Sequence, residues 1–164
     1  MSDKKTISIT LVDYQDLHQM ALLVEQLGAY AMDDMGGGKD LTEDVKQRLL
    51  TDLPQQKQNF SFLAWVGGEC AGMTNCLWGY STFAAMPLVN IHDLGVQKEY
   101  RGMGISTALL QAVENYARTR NACKVTLEVL GNNDIAKASY NKFGFKVYEL
   151  AEGAGKAEFW QKYL

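Results

Sequence analysis

The run Arg101-Gly102-Met103-Gly104-Ile105-Ser106 lies between two different hydrophobic patterns. Before it, Leu88-Val89-Asn90-Ile91-His92-Asp93-Leu94-Gly95-Val96 reads as a strand. After it, Ile105, Leu109, Leu110, Val113, Tyr116 and Ala117 recur at the spacing of one face of an amphipathic helix. Two glycines therefore stand where a strand passes through a loop into a helix. At such a point the first backbone N–H groups lack partners and the helix dipole is positive, which favours an anion. Glycine also removes the Cβ that would hold a ligand away from the backbone. Together these residues predict a ligand that carries phosphate.

Two familiar phosphate loops do not fit. A P-loop needs Gly-x-x-x-x-Gly-Lys-Ser/Thr, and the chain has no such run. A dinucleotide fingerprint needs a third glycine where Thr107 stands, and repeated strand–helix units around it. A second block lies downstream. Val125-Thr126-Leu127-Glu128-Val129 reads as a strand, Gly131 and Asn132 turn the chain, and Asn133 or Asp134 can cap a helix. Ala136, Tyr140 and Phe143 follow at helical spacing, and Gly144 closes that helix.

Arg101-x-x-Gly104-x-Ser106 resembles the pyrophosphate-binding loop of the GNAT acetyltransferase superfamily, Gln/Arg-x-x-Gly-x-Gly/Ala, with Ser106 as the off-pattern member. The approach Asp93-Leu94-Gly95-Val96-Gln97-Lys98-Glu99-Tyr100 looks like that family's strand and turn. The string Leu-Glu-Val-x-x-x-Asn-x-x-Ala-x-x-x-Tyr-x-x-x-Gly-Phe is similar to its second coenzyme A segment, so the resemblance spans roughly residues 88 to 149. It implies an α+β fold: a mixed, mostly antiparallel sheet with helices on both sides. Two central parallel strands, here ending near Val96 and Val129, splay apart and hold coenzyme A. It implies acetyl-CoA as co-substrate and no metal. The backbone of Leu94, Gly95 and Val96 would pair with the pantetheine arm like an added strand. Arg101, Gly102, Met103, Gly104, Ile105, Ser106 and Thr107 would hold the pyrophosphate, and Asn133 would bond the arm.

Acetyl transfer from a thioester to an amine needs a neutral amine, a donor for the oxyanion and a proton for the leaving thiolate. The resemblance gives the last role to Tyr140, seven residues and two helical turns after Asn133. A phenol near about 10 can donate to a thiolate whose acid lies near about 8.5. An alkylamine is only about one part in a thousand neutral at pH 7.4, so a base would help. His92 and Asp93 are the candidates, expected on opposite faces of their strand by its two-residue period. Glu128, a water chain and no base at all stay open.

Composition sets the bounds. The chain has 164 residues, 47% hydrophobic and 21% charged, as an ordinary globular protein has, and is expected to form one domain over 1–164. No apolar run has membrane-spanning length, and the net charge of −3 with no basic block argues against nucleic acid. The start Met1-Ser2-Asp3-Lys4-Lys5 leads into an alternating run rather than a signal sequence. Three scattered cysteines, Cys70, Cys76 and Cys123, fit a reducing cytoplasm, and Cys76 and Cys123 read as small core residues. The tryptophans Trp65, Trp78 and Trp160 read as core. A homodimer is left open, since no interface is visible.

The element order reads strand, helix, helix, three strands, helix, strand, helix, strands. Ile7–Val12 opens it. Asp13 or Asp16 starts a helix to about Tyr30 with Leu17, Met20, Ala21, Val24 and Leu27 on one face. Met32–Lys39 reads as a mobile loop and Thr42 starts a second helix. Phe60–Val66 and Ala71–Tyr80 join at Gly67-Gly68, and Lys146–Leu150 and Glu158–Tyr163 read as closing strands. By the resemblance, Tyr30–Lys39 and Tyr80-Ser81-Thr82-Phe83 line the acceptor site. Asp33 and Asp34 would suit a cationic amine or stand as solvated charges. The function class is thus acetyl transfer to a primary amine of a small molecule or peptide; the alternative is a non-catalytic acyl-CoA sensor of the same fold.

Overall fold

The apolar, β-branched runs of the sequence assemble into one sheet of five strands in the order β1-β2-β3-β4-β5. The structure, a computed structural model, describes residues 6–164; the basic start Met1–Lys5 lies outside them. The elements follow as β1 (Ile7–Leu11), α1 (Leu17–Met32), α2 (Glu43–Asp52), β2 (Asn59–Val66), β3 (Glu69–Ser81), β4 (Met86–Val96), α3 (Ile105–Thr119), β5 (Val125–Leu127) and α4 (Asp134–Phe143). The chain divides into two compact units, Met1–Leu127 and Glu128–Leu164.

In the first unit β1 to β4 pair antiparallel in chain order. β5 lies parallel to β4 through only Val89↔Val125, Asn90↔Thr126 and Ile91↔Leu127. The strand expected to reach Val129 therefore ends at Leu127. The sheet buries both faces. On one, Phe60 and Phe62 of β2 stack edge-on to Tyr116 of α3, whose buried stripe is Ile105, Leu109, Leu110, Val113 and Ala117, as its spacing predicts. On the other, Leu63 and Met73 pack with Met20 and Leu23 of α1. Neighbouring residues of β2 thus serve opposite layers, the two-residue period of a strand buried on both sides.

Asp16, not Asp13, caps α1: its carboxylate accepts the N–H groups of His18 and Gln19. The buried face of α1 also differs from the expected one. Leu17 is 81% exposed and Ala21 is exposed, while Met20, Leu23, Val24, Gly28 and Ala31 are buried. Met20 in the first turn already packs on Leu63 and Met73, so the exposed Leu17 and Ala21 lie off the face that meets the sheet. Thr42 caps α2, with Glu43 and Asp44 in the first turn beside the positive end of the dipole.

In the second unit Asn133 caps α4 through its side-chain oxygen and the N–H of Ala136, and Gly144 ends the helix in the left-handed conformation. The closing strands expected at Lys146–Leu150 and Glu158–Tyr163 are absent from the described residues; one isolated bridge joins Glu149 and Lys156. Strand-like alternation forms a strand only where a ladder partner and a covered face exist. Here Val147, Leu150, Phe159, Trp160 and Tyr163 are all exposed. Trp160, read as core, is 83% exposed.

Truncating a buried residue of α1 outside the expected face should be far more costly than truncating the exposed start of that face. Leu23→Ala is expected to lose about 2–5 kcal/mol in urea unfolding, and Leu17→Ala within about 0.5 kcal/mol of no change.

Candidate active site

The central feature is a break in the register of β4. Asn75 of β3 pairs with Asp93, but the next residue, Cys76, pairs with Ile91, so His92 is an extra, unpaired residue. Asn75 and Cys76 are consecutive and project to opposite faces. Ile91 therefore shares the α3 side with Cys76, and Asp93 shares the α1 side with Asn75. An unbroken period would have put Ile91 and Asp93 on one face. The expected opposition of His92 and Asp93 rested on that period, and the bulge removes its ground. His92 lies exposed at the bulge and Asp93 is half-buried. The buried Thr74 hydroxyl donates to the Asp93 carbonyl at 2.8 Å, satisfying a group that the irregular ladder would strand.

The bulge also marks where β4 loses its parallel neighbour. The β4–β5 ladder ends at Ile91↔Leu127, while β4 runs on to Val96, still paired with β3 through Leu94, Gly95 and Val96. Among the described residues no strand pairs with the other edge of β4 after Ile91. Leu94, Gly95 and Val96 thus present one backbone edge of the kind an extended chain can join. Tyr30 of α1 covers Gly95 so closely that a Cβ there would come within 3.0 Å of the Tyr30 Cβ. Burial, then the charges of Asp93 and Asp33, push the Tyr30 phenol up.

From Val96 the chain enters the glycine loop. Gly102 and Gly104 have φ of +80° and +86°, which L side chains rarely adopt, and a Cβ on either would meet nothing within 4 Å. Gly104 caps α3 with no side-chain bond. Among the described residues the backbone N–H groups from Gly102 to Thr107 find no acceptor outside α3. Ile105 is buried; Met103 and Thr107 are exposed and Ser106 half-exposed. A row of unclaimed donors over open space, at the positive end of a 15-residue helix, fits a pyrophosphate.

Arg101 is otherwise employed. Its guanidinium donates to Asp33 Oδ2 at 2.6 Å and, through Nε, to the Val96 carbonyl at 3.1 Å. Asp33 is therefore neither a solvated charge nor an open one. Arg101, with the Met35 N–H, holds its carboxyl below the usual range. Its carbonyl accepts the N–H groups of Gly36 and Gly38, so the glycine-rich segment read as mobile is folded around this one residue. Asp34 stays exposed, and so do Tyr80 and Phe83 on the β3–β4 hairpin.

In the second unit Asn133 is engaged as the α4 cap, and the Tyr140 ring, half-buried, meets Phe145 at 5.9 Å between centroids. Cys76 is buried as expected, its thiol pushed up to about 12 by burial; Cys70 is pushed to about 11 by the same cause. Cys123, expected in the core, is exposed, because it follows α3 in the turn before β5. Among the described residues no group of three or more His, Cys, Asp or Glu could hold a metal, and no helix is long and apolar enough to cross a membrane.

The sequence profile of the acetyltransferase (GNAT) family matches residues 23–145. The chain belongs to that family. An N-alpha-acetyltransferase of Sulfurisphaera tokodaii is 38% identical over 92 residues, 52% of this chain and 55% of that protein. N-alpha-acetyltransferase 30 of Schizosaccharomyces pombe is 31% identical over 120 residues, 68% of this chain and 73% of its own length. A thialysine N-epsilon-acetyltransferase of Caenorhabditis elegans is 25% identical over 149 residues, 91% and 89% of the two chains. In fold, an integron cassette protein of V. cholerae matches with a TM-score of 0.79 at 17% identity, covering 96% and 92% of the chains. AAC(6')-Iy, solved with a bisubstrate analog of CoA and acetylneamine, matches with a TM-score of 0.73 at 15% identity, covering 97% and 99%.

The GNAT-like motifs fall on the glycine loop and the edge of β4. They missed the polar residues behind them: Tyr14, Ser61, Thr74 and Asn75. Their signal was present, since Ser61 interrupts Phe60-Ser61-Phe62-Leu63 and Thr74-Asn75 sits mid-strand, where a polar residue needs a buried partner.

The Asp33–Arg101 pair carries a sign for pH. A carboxyl held low in the folded state stabilises above the ordinary aspartate range, and this is lost as pH falls through that range to the lower folded value. Asp33→Asn should therefore melt below wild type at neutral pH, and the gap in Tm should narrow between about pH 5 and about pH 2.

Proposed function

We propose that this chain transfers the acetyl group of acetyl-CoA to a primary amine of a small molecule or peptide by direct attack. The row of unclaimed N–H groups from Gly102 to Thr107 at the start of α3 carries the reading, because it suits a pyrophosphate and lies within the stretch that the family profile matches. Residues 1–164 act as one catalytic domain, since the match at 23–145 runs through both units. Three unpaired cysteines support a reducing, cytoplasmic setting.

The loop takes the pyrophosphate, with Ser106 adding a small hydroxyl where the family has Gly or Ala. The Arg101 side chain serves from behind, anchoring Val96 and Asp33. The open edge of Leu94, Gly95 and Val96 takes the pantetheine amides, and an N–H there stabilises the oxyanion. Asn133 caps α4 and bonds the arm. The amine lone pair adds to the thioester carbonyl carbon, the C–S bond breaks, and the thiolate takes its proton from Tyr140.

Asp93 is the better-placed proton acceptor. Its Oδ2 is held by Asn75 at 3.0 Å, and among the described residues its Oδ1 takes no hydrogen bond. His92, on the outer bend of the bulge, is exposed. A carboxylate is a weak base for a free alkylammonium, but nitrogen becomes far more acidic once it has added to the carbonyl. Asp93 takes the proton at that stage. A peptide α-amine, near about 7.7–8.0, is already substantially neutral at pH 7.4 and so readier to attack than an alkylamine near about 10.4.

Relatives named for N-alpha and thialysine N-epsilon acetylation, and a fold neighbour bound to an acetylneamine analog, all point to an amine acceptor. The test follows thiol release with peptide α-amines, alkyl diamines and aminoglycosides. At least one class is expected to turn over, and Tyr140→Phe to lower kcat by about a hundredfold while coenzyme A still raises Tm. Coenzyme A binding with no turnover across the panel would leave an acyl-CoA sensor instead.

A further inference from the structure

We propose that Asn75, backed by Ser61 and Tyr14, is a positioning residue for acetyl transfer that fixes the Asp93 carboxylate with Oδ1 turned out to receive the amine proton. The inference rests on Asp93 acting as the proton acceptor.

Four polar side chains form one continuous chain across the sheet. The Asn75 amide donates from Nδ2 to Asp93 Oδ2 at 3.0 Å. The Ser61 hydroxyl donates to Asn75 Oδ1 at 2.6 Å. Tyr14, just before α1, meets Ser61 Oγ at 2.8 Å. The four residues come from β4, β3, β2 and the approach to α1, and Ser61 is fully buried.

The direction of the chain follows from its end. An ionised carboxylate only accepts, so Asn75 must turn its NH2 toward Asp93 and its carbonyl toward Ser61. Ser61 must then donate to that carbonyl, and its oxygen is left to accept from the Tyr14 hydroxyl. Reversing Asn75 breaks both of its bonds, and reversing Ser61 leaves the Asn75 carbonyl without its donor. Such a chain specifies one geometry, because a buried polar group without a partner is heavily penalised.

Asn75 holds and does not conduct. An amide passes a proton from Nδ2 to Oδ1 only through an imidic acid, so a proton captured by Asp93 has no route along this chain. Its effect is on where the carboxylate points. The Tyr30 phenol from α1 feels this charge on the same side, the Cys76 thiol of β3 feels it from the opposite face of the sheet, both are raised, and exposed His92 is its neighbour along β4. Tyr30 and Cys76 stay neutral through the working pH range.

The test measures kcat and KM against pH for wild type, Asn75→Ala, Ser61→Ala, Tyr14→Phe and Asp93→Asn. Asn75→Ala is expected to lose about tenfold in kcat with the KM for acetyl-CoA held. Ser61→Ala and Tyr14→Phe should lower kcat by successively less, again with that KM held. Adding Asn75→Ala to Asp93→Asn should cost nothing further. Tyr14→Phe keeps its ring packing and decides the matter if Asn75→Ala does not fold. Unchanged kcat in Asn75→Ala and Tyr14→Phe, beside a crippled Asp93→Asn, overturns the positioning role alone. Wild-type turnover in Asp93→Asn removes the base assignment, and this inference with it.

Discussion

One extra residue in β4 governs the arrangement of the first unit. A strand between two neighbours has every backbone group spoken for, and His92 breaks that condition. Before it, β4 is an interior strand, held by β3 and β5 and buried at Val89 and Ile91. After it, β4 keeps β3 and has one open edge. The same break carries Asp93 from the α3 layer to the α1 layer, where Asn75, Ser61 and Tyr14 meet it. An extended backbone edge and an oriented carboxylate thus have a single cause. Thr74 supports that cause from below by binding the Asp93 carbonyl.

The second organising element is the guanidinium of Arg101. It joins the end of β4, the start of the glycine loop and the turn after α1 through Val96 and Asp33. The pair is partly exposed, so its contribution to global stability is modest in salt. Its geometric effect is larger. Asp33 also gathers the N–H groups of Met35, Gly36 and Gly38, so one carboxylate and its carbonyl shape a turn that composition alone marks as flexible.

Much of this was legible in the sequence because it depends on local periodicity and on chain chemistry near the backbone. The α3 stripe, a cap at Asp13 or Asp16, the Thr42 start of α2 and the element order as far as α4 are all short-range properties. What was hidden depends on pairing. A bulge is a relation between two strands, and nothing in Ile91-His92-Asp93 alone distinguishes an extra residue from a regular one. Ser61 and Asn75 were visible as polar residues in apolar strands, but their partners lie 14 and 18 residues away. The closing strands failed for the converse reason. Lys146–Leu150 and Glu158–Tyr163 have the alternation of strands, and their apolar side chains find no cover.

The burial of the cysteines bears on how the protein behaves toward electrophiles. Thiol reagents attack the thiolate, and two of the three thiols are withdrawn from that chemistry, with Cys70 at about 11 and Cys76 at about 12. Cys123 alone is exposed, on the turn between α3 and β5. A disulfide dye used to follow coenzyme A release therefore titrates a single fast equivalent from the folded protein, and the remaining two only as it unfolds. Taken before acetyl-CoA is added, the ratio of fast to total thiol reports the folded fraction of the protein then used for turnover.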